Sequence, residues 1–142
     1  MPWVKIDDKF PETPKVIEAG PFGMALQVAG LCYCNRNLTD GFIPYDAAHR
    51  LLSWDFPGKK DEYGQRVYTC GWCCGMVAED IDSEFVIGLL LRSGMWEQVD
   101  GGYTIHDYLD YQPSKEEVLA ERERKREAGR LGGLAKAAGA KR

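Results

Sequence analysis

The chain is 142 residues long, 44% apolar and 28% charged, with a formal net charge of −4. That length suits one domain plus a tail, and the apolar content suffices for an ordinary core. No apolar run is expected to reach the length of a membrane span, no basic-then-apolar leader opens the chain, and five cysteines, an odd number, argue against a full set of internal disulfides, so a cytoplasmic protein is expected.

The charge is unevenly placed. Residues 1–112 hold nine Lys/Arg and seventeen Asp/Glu, a net −8, whereas residues 113–142 hold nine Lys/Arg and five Asp/Glu, a net +4. A body that binds nucleic acid usually carries the opposite sign.

In residues 1–20, Trp3, Val4 and Ile6 are expected to pair as an edge strand or to pack on the core. Lys15 to Ala19 suits one helical turn before Gly20-Pro21 stops it. Residues 21–36 then read as a helix with Pro21 in its first turn. Phe22, Met24, Leu26, Val28, Leu31, Cys32 and Cys34 leave almost no polar face, which predicts a buried central helix. Gly23, Ala25, Ala29 and Gly30 are small enough for neighbours to approach closely.

Thr39-Asp40-Gly41 predicts a turn, Phe42-Ile43 a short strand ending at Pro44, and Tyr45 to Ser53 a second helix. His49 on that helix reads as a surface or half-buried residue before a ligand. Residues 54–69 break the pattern with Pro57-Gly58, Lys59-Lys60 and Gly64, a loop or a hairpin ending in Arg66-Val67-Tyr68. Residues 70–81 are expected to return the chain to the core through Trp72, Met76 and Val77.

The most informative stretch runs from Asp82 to Tyr108. Asp82 is placed to cap a helix, since its carboxylate can accept from an orphan backbone N–H. Phe85, Val86, Leu89 and Leu90 form an apolar stripe at helical period, and Gly94 suits the left-handed closing position. Trp96 to Val99 and Tyr103 to Tyr108 flank Asp100-Gly101-Gly102, a hairpin signal because the tight turn needs positive φ. A helix running through Gly into a hairpin is the second half of a winged helix-turn-helix, or of another α+β domain. Ser114-Lys115-Glu116-Glu117 reads as a capping box, and Glu121 and Lys125 sit at i, i+4 on the helix it opens. From Gly129 the chain is basic and of low complexity, and is expected to be flexible.

The fold class expected is therefore α+β, mainly α: a winged helix-turn-helix with an inserted loop or hairpin and a charged C-terminal helix. Its parts are a domain over residues 1–112 with an insertion at 54–79, a charged solvated helix over 113–128, and a basic flexible tail over 129–142.

Three ordered segments carry a family resemblance. They are Thr39-Asp40-Gly41-Phe42-Ile43-Pro44, then Ser93-Gly94-Met95-Trp96 into Val99-Asp100-Gly101-Gly102-Tyr103, then Ile105-His106-Asp107-Tyr108 through Pro113-Ser114. Together they resemble the N-terminal winged-helix domain of phage replication-initiation or replisome-organiser proteins of the DnaD-like kind, particularly those of actinobacterial phages. Glu127 to Ala135 is similar to the linker that follows that domain. The resemblance implies a DNA-binding, replication-associated accessory protein in the host cytoplasm. It also implies self-association or a phage or host replication protein as partner.

For DNA, the groove-facing positions of the helix at 83–93 are Asp82, Ser83 and Glu84, and Arg92 is its only cation. Ser83 and Arg92 are therefore candidate contacts beside Lys59, Lys60 and Arg66 of the insertion. The tail adds Arg122, Arg124, Lys125, Arg126, Arg130, Lys136, Lys141 and Arg142, suited to salt-sensitive, sequence-indifferent binding. The plain alternative for the tail is a solvated helix.

For a protein partner, Trp54, Phe56, Tyr63, Tyr68 and Trp72 are candidate interface residues, because aromatics are enriched in binding cores. In that alternative the acidic body makes no DNA contact.

For zinc, Cys70, Cys73 and Cys74 have knuckle spacing, with Cys32, Cys34 or His49 as further ligands. Cys32 and Cys34 would point to different sides of a helix. No phosphate loop, nucleophile elbow or metal-hydrolase signature is present, so no catalysis is expected. His106 beside Asp107 suggests an acid–base pair, but neighbours on a strand face opposite sides, so the two are not expected to cooperate.

Overall fold

The computed structural model describes residues 3–52, 59–60, 62–63, 66–68, 76–77 and 81–140. Its class is α+β, mainly α, with two small antiparallel sheets. A 3-10 turn (Phe10–Glu12) leads into α1 (Pro14–Asn37), β1 (Phe42–Pro44) and α2 (Tyr45–Ala48). The insertion supplies β2 (Lys59–Lys60), β3 (Arg66–Tyr68) and β4 (Met76–Val77). Then come α3 (Ser83–Arg92), β5 (Trp96–Val99), β6 (Gly102–Ile105), α4 (Tyr108–Tyr111) and α5 (Lys115–Gly139).

Helix α1 is two helical segments joined at a kink. Gly20 sits at φ 71°, ψ −176°, a conformation that only glycine adopts without strain, and Pro21 opens the second segment. The break at Gly20-Pro21 expected from sequence is therefore present, with a regular turn on each side. Gly23, Leu26, Gln27, Gly30, Leu31, Cys34 and Asn35 are buried, a single stripe at helical period. Cys32 and Ala25 face outward. The expected all-round burial thus becomes burial of one face, because α1 packs on one side against α3 and the first sheet. By length and apolar composition alone α1 is able to cross a membrane, contrary to the expectation that no run approached that length.

Close approach happens at Gly30. A Cβ there would lie 2.8 Å from Trp96 and 3.1 Å from Ile43, so a side chain would push the sheet off the helix. Trp96 is 1% exposed and fills that contact.

Strand β1 pairs antiparallel with β6, Phe42 opposite Thr104 and Ile43 opposite Tyr103. Strand β5 completes the order β1-β6-β5, with Trp96 opposite Ile105 and Val99 opposite Gly102. The pairing closes across Asp100-Gly101, where Gly101 carries the positive φ of 80°. In α3 the Asp82 carboxylate accepts from the Phe85 N–H at 2.8 Å, and Gly94 closes the turn after it at φ 74°. The buried residues of α3 are Val86, Ile87 and Leu90, and Phe85 points outward. The expected apolar stripe is rotated by about one residue.

Helix α2 is a single turn where a helix from Tyr45 to Ser53 was expected. Its last hydrogen bonds run from His49 N–H to Tyr45 O and from Arg50 N–H to Ala47 O, tightening the ladder until it stops. Leu51 and Leu52 still pack against the core. In the insertion, β2-β3-β4 form a second antiparallel sheet, Lys60 opposite Arg66 and Tyr68 opposite Met76.

Among the described residues, the N-terminal arm forms no strand. Its backbone is clamped instead by the Gln112 side chain, which accepts from Lys5 N–H at 3.1 Å and donates to Lys5 O at 2.6 Å. Val4 and Phe10 pack on the core, whereas Trp3 is exposed.

Helix α5 opens with the expected capping box: Ser114 Oγ accepts from Glu117 N–H, and Glu117 accepts from Ser114 N–H. Asp40 also accepts from Lys115 N–H at 2.6 Å, tying the helix start to the turn after α1. The charged helix and the tail expected to be flexible are one helix up to Gly139. Its residues are mostly Ala, Leu, Glu, Lys and Arg, strong helix formers whose preference outweighs the glycines at 129, 132 and 133.

Candidate functional site

The described residues present three candidate surfaces: the outer face of α3 with the β5–β6 hairpin, the length of α5, and a cavity beneath the N-terminal arm.

The outer face of α3 carries Glu84, Phe85 and Arg92. Ser83, a candidate base contact, is engaged by the protein itself, with its hydroxyl 2.6 Å from His49 Nδ1. That bond joins α2 to the start of α3, where His49 is half-buried. Arg92 is exposed in the last turn of α3, where a cation favours the helix dipole.

Along α5, Arg122, Arg124, Lys125, Arg126, Arg130 and Lys136 are all exposed. Lys125 meets Glu121 at 3.2 Å, Arg126 meets Glu123 at 2.7 Å and Arg130 meets Glu127 at 2.6 Å. Arg124 also pairs with Glu121. Arg130 holds the Glu127 carboxyl below its ordinary range, and Glu127 in turn raises the guanidinium. Arg122 and Lys136 have no carboxylate partner among the described residues. Over Lys115–Gly139 seven Lys/Arg face five Asp/Glu, so the helix stays positive after pairing. Its only buried residue is Val118.

Of the insertion candidates, Lys59 and Lys60 lie on β2 and Arg66 on β3. Tyr63 is exposed in the turn between those strands, and Tyr68 ends β3. Trp54, Phe56 and Trp72 lie outside the described residues, as do Cys70, Cys73 and Cys74. Among the described residues no group of three metal-ligating side chains converges. Cys32 is exposed, whereas Cys34 is buried with its thiol 3.7 Å from Phe42 O. Burial pushes the Cys34 thiol up to about 11, which favours the protonated thiol over a metal-binding thiolate.

The expectation for His106 and Asp107 is corrected. Strand β6 ends at Ile105, and Asp107 turns into the left-handed region at φ 57°. The two side chains therefore meet, His106 Nε2 to Asp107 Oδ1 at 3.1 Å, while His106 Nδ1 lies 2.7 Å from Glu97. The exposed imidazole thus lies between two carboxylates at the surface.

His106 and Asp107 stand on the rim of the cavity, whose volume is about 610 Å³. The arm and the start of α1 form one side, and β6 and α4 the other. Its buried wall includes Val16, Leu31, Met95, Ile105 and Gln27. Gln27 accepts from the Trp96 indole N–H at 2.6 Å. Neither Gln27 nor Gln112 was singled out from sequence. The available signal for Gln27 was its position as the one polar side chain between Phe22 and Leu31.

No protein family, curated protein or solved structure matches the chain.

Proposed function

We propose that the chain is a winged-helix protein of the phage replication-initiation type, which binds duplex DNA without catalysis in the host cytoplasm. The succession of α1, β1, α2, α3 and the β5–β6 hairpin, with β1 against the returning strand, supports the winged-helix reading. The observation that carries the DNA reading is the exposed, net-positive α5 on an otherwise acidic chain. Affinity then comes from α5 as sequence-indifferent contacts to phosphate, and the hairpin and α3 orient the body. A replication protein of phage or host is the partner this role requires.

The test is duplex binding by two sets of variants in the full chain. Replacing Arg122, Arg124, Lys125, Arg126, Arg130 and Lys136 with Gln should abolish binding at moderate salt. Arg92→Gln should cost little. Loss on Arg92→Gln with α5 neutralisation tolerated would move the interface to α3 and refute this assignment.

A second reading, a protein-interaction module, is favoured by the outward side of α3. Glu84 and the 39%-exposed Phe85 there suit a protein partner better than phosphate. Phe85→Ala should weaken partner capture and leave duplex binding unchanged.

A further inference from the structure

We propose that two copies of the chain pair by docking the far half of α5 from each onto the N-terminal arm and α4 of the other. Each chain carries two uncovered apolar surfaces, and they are opposite in charge. The first lies on α5. Every residue from Arg122 to Ala140 is exposed, so about five turns stand clear of the body. Leu131, Leu134, Ala135 and Ala138 nevertheless fall at i, i+3, i+4 and i+7, one apolar face at helical period. Leu131 is 54% and Leu134 56% exposed, and contact with phosphate makes no use of them. Residues 128–142 hold four Lys/Arg and no Asp/Glu, so a second α5 laid against this face would meet like charge.

The second surface is where the arm meets α4. The Gln112 clamp on Lys5 holds the arm against the end of α4. Trp3 is 88% and Tyr111 66% exposed there, and the exposed Ile6 lines the same cavity as Tyr111. Trp and Tyr are the side chains that most often anchor a protein interface. Residues 3–15 and 105–112 hold five Asp/Glu against three Lys, a net −2, which complements the far half of α5. The two surfaces cannot meet within one chain. The start of α5 is tied to Asp40, Leu131 lies roughly 24 Å further along the helix, and that stretch stays exposed throughout. A second copy offers both surfaces, and exchange about a two-fold axis covers all four at once. Arg122, Lys125, Arg126 and Lys136 fall on the side of α5 away from Leu131, so docking leaves them open to phosphate.

The test is sedimentation equilibrium of the full chain over a series of protein concentrations, without nucleic acid, so that its outcome is separate from that of the DNA reading. The expected result is a reversible monomer–dimer equilibrium that weakens as salt rises. Leu131→Gln with Leu134→Gln should leave a monomer at concentrations where the parent chain is a dimer. Trp3→Ala with Tyr111→Ala should weaken the dimer at least about tenfold. All four side chains are exposed, so both variants should keep the parent's circular dichroism. A monomer at every concentration, or a dimer indifferent to the leucine pair, would overturn the proposal. So would a dimer that the leucine pair abolishes and the Trp3–Tyr111 pair leaves intact, because that result means that α5 pairs with α5.

Discussion

The α1–sheet–α3 core and helix α5 are built by opposite means. The core uses contacts between residues far apart in sequence: Trp96 against Gly30 and Gln27, and Ile43 opposite Tyr103. Helix α5 uses contacts between residues three or four apart and buries Val118 alone. A core of the first kind unfolds as a unit, whereas a helix of the second kind frays from its free end. The negative charge is concentrated in residues 1–112, and the solvated helix carries a net positive charge.

The largest expected break of this contrast is Trp96→Ala. It removes the largest fully buried side chain among the described residues and leaves the Gln27 oxygen without its donor, so the cost should be about 4 kcal/mol in a denaturant titration. Helicity from α5 should persist past the core transition only as far as the isolated helix allows, and a fully concerted loss would show that the two regions are one unit.

A smaller effect sharpens the other side. Ser114→Ala removes the capping-box acceptor and should cost about 1 kcal/mol at the start of α5, read as lost helical circular dichroism. The core midpoint should hold, because that midpoint reports burial and not the cap. A matching fall in the midpoint would mean that the Lys115–Asp40 contact couples the two.

A further effect appears only at alkaline pH. Burial raises Tyr108 to about 12 and Cys34 to about 11, from ordinary values of 10.0 and 9.0. The folded state therefore holds these protons more tightly than the unfolded chain. This stabilisation is complete below pH 9 and is lost as pH rises through 11 and 12. Tyr108→Phe should flatten the loss above pH 10, whereas an unchanged alkaline limb would remove Tyr108 from the account.

What the sequence made legible was local. The Asp82 cap, Gly94, the Asp100-Gly101 corner, the Gly20 break and the Ser114 box each depend on neighbours within a few residues. Their chemistry is written in the chain. The Gln112 clamp on Lys5 joins residues 107 positions apart, and the Trp96–Gln27 bond joins residues 69 apart. Such pairs follow from the packed fold and have no local signature. The cavity was invisible for the same reason, since its walls come from the arm, α1, β6 and α4. His106 and Asp107 were misread because strand geometry was extended three residues too far, to Tyr108, and α5 because glycine was weighed above its helix-forming neighbours.

The most direct test of the account is the salt dependence of binding to random-sequence duplex, compared for the full chain and for a chain ending at residue 112. The account predicts log affinity falling steeply with log salt for the full chain, about 0.9 per phosphate neutralised, and the loss of that slope with residues 113–142. Equal slopes for the two chains, or no binding by the full chain at low salt, would contradict it.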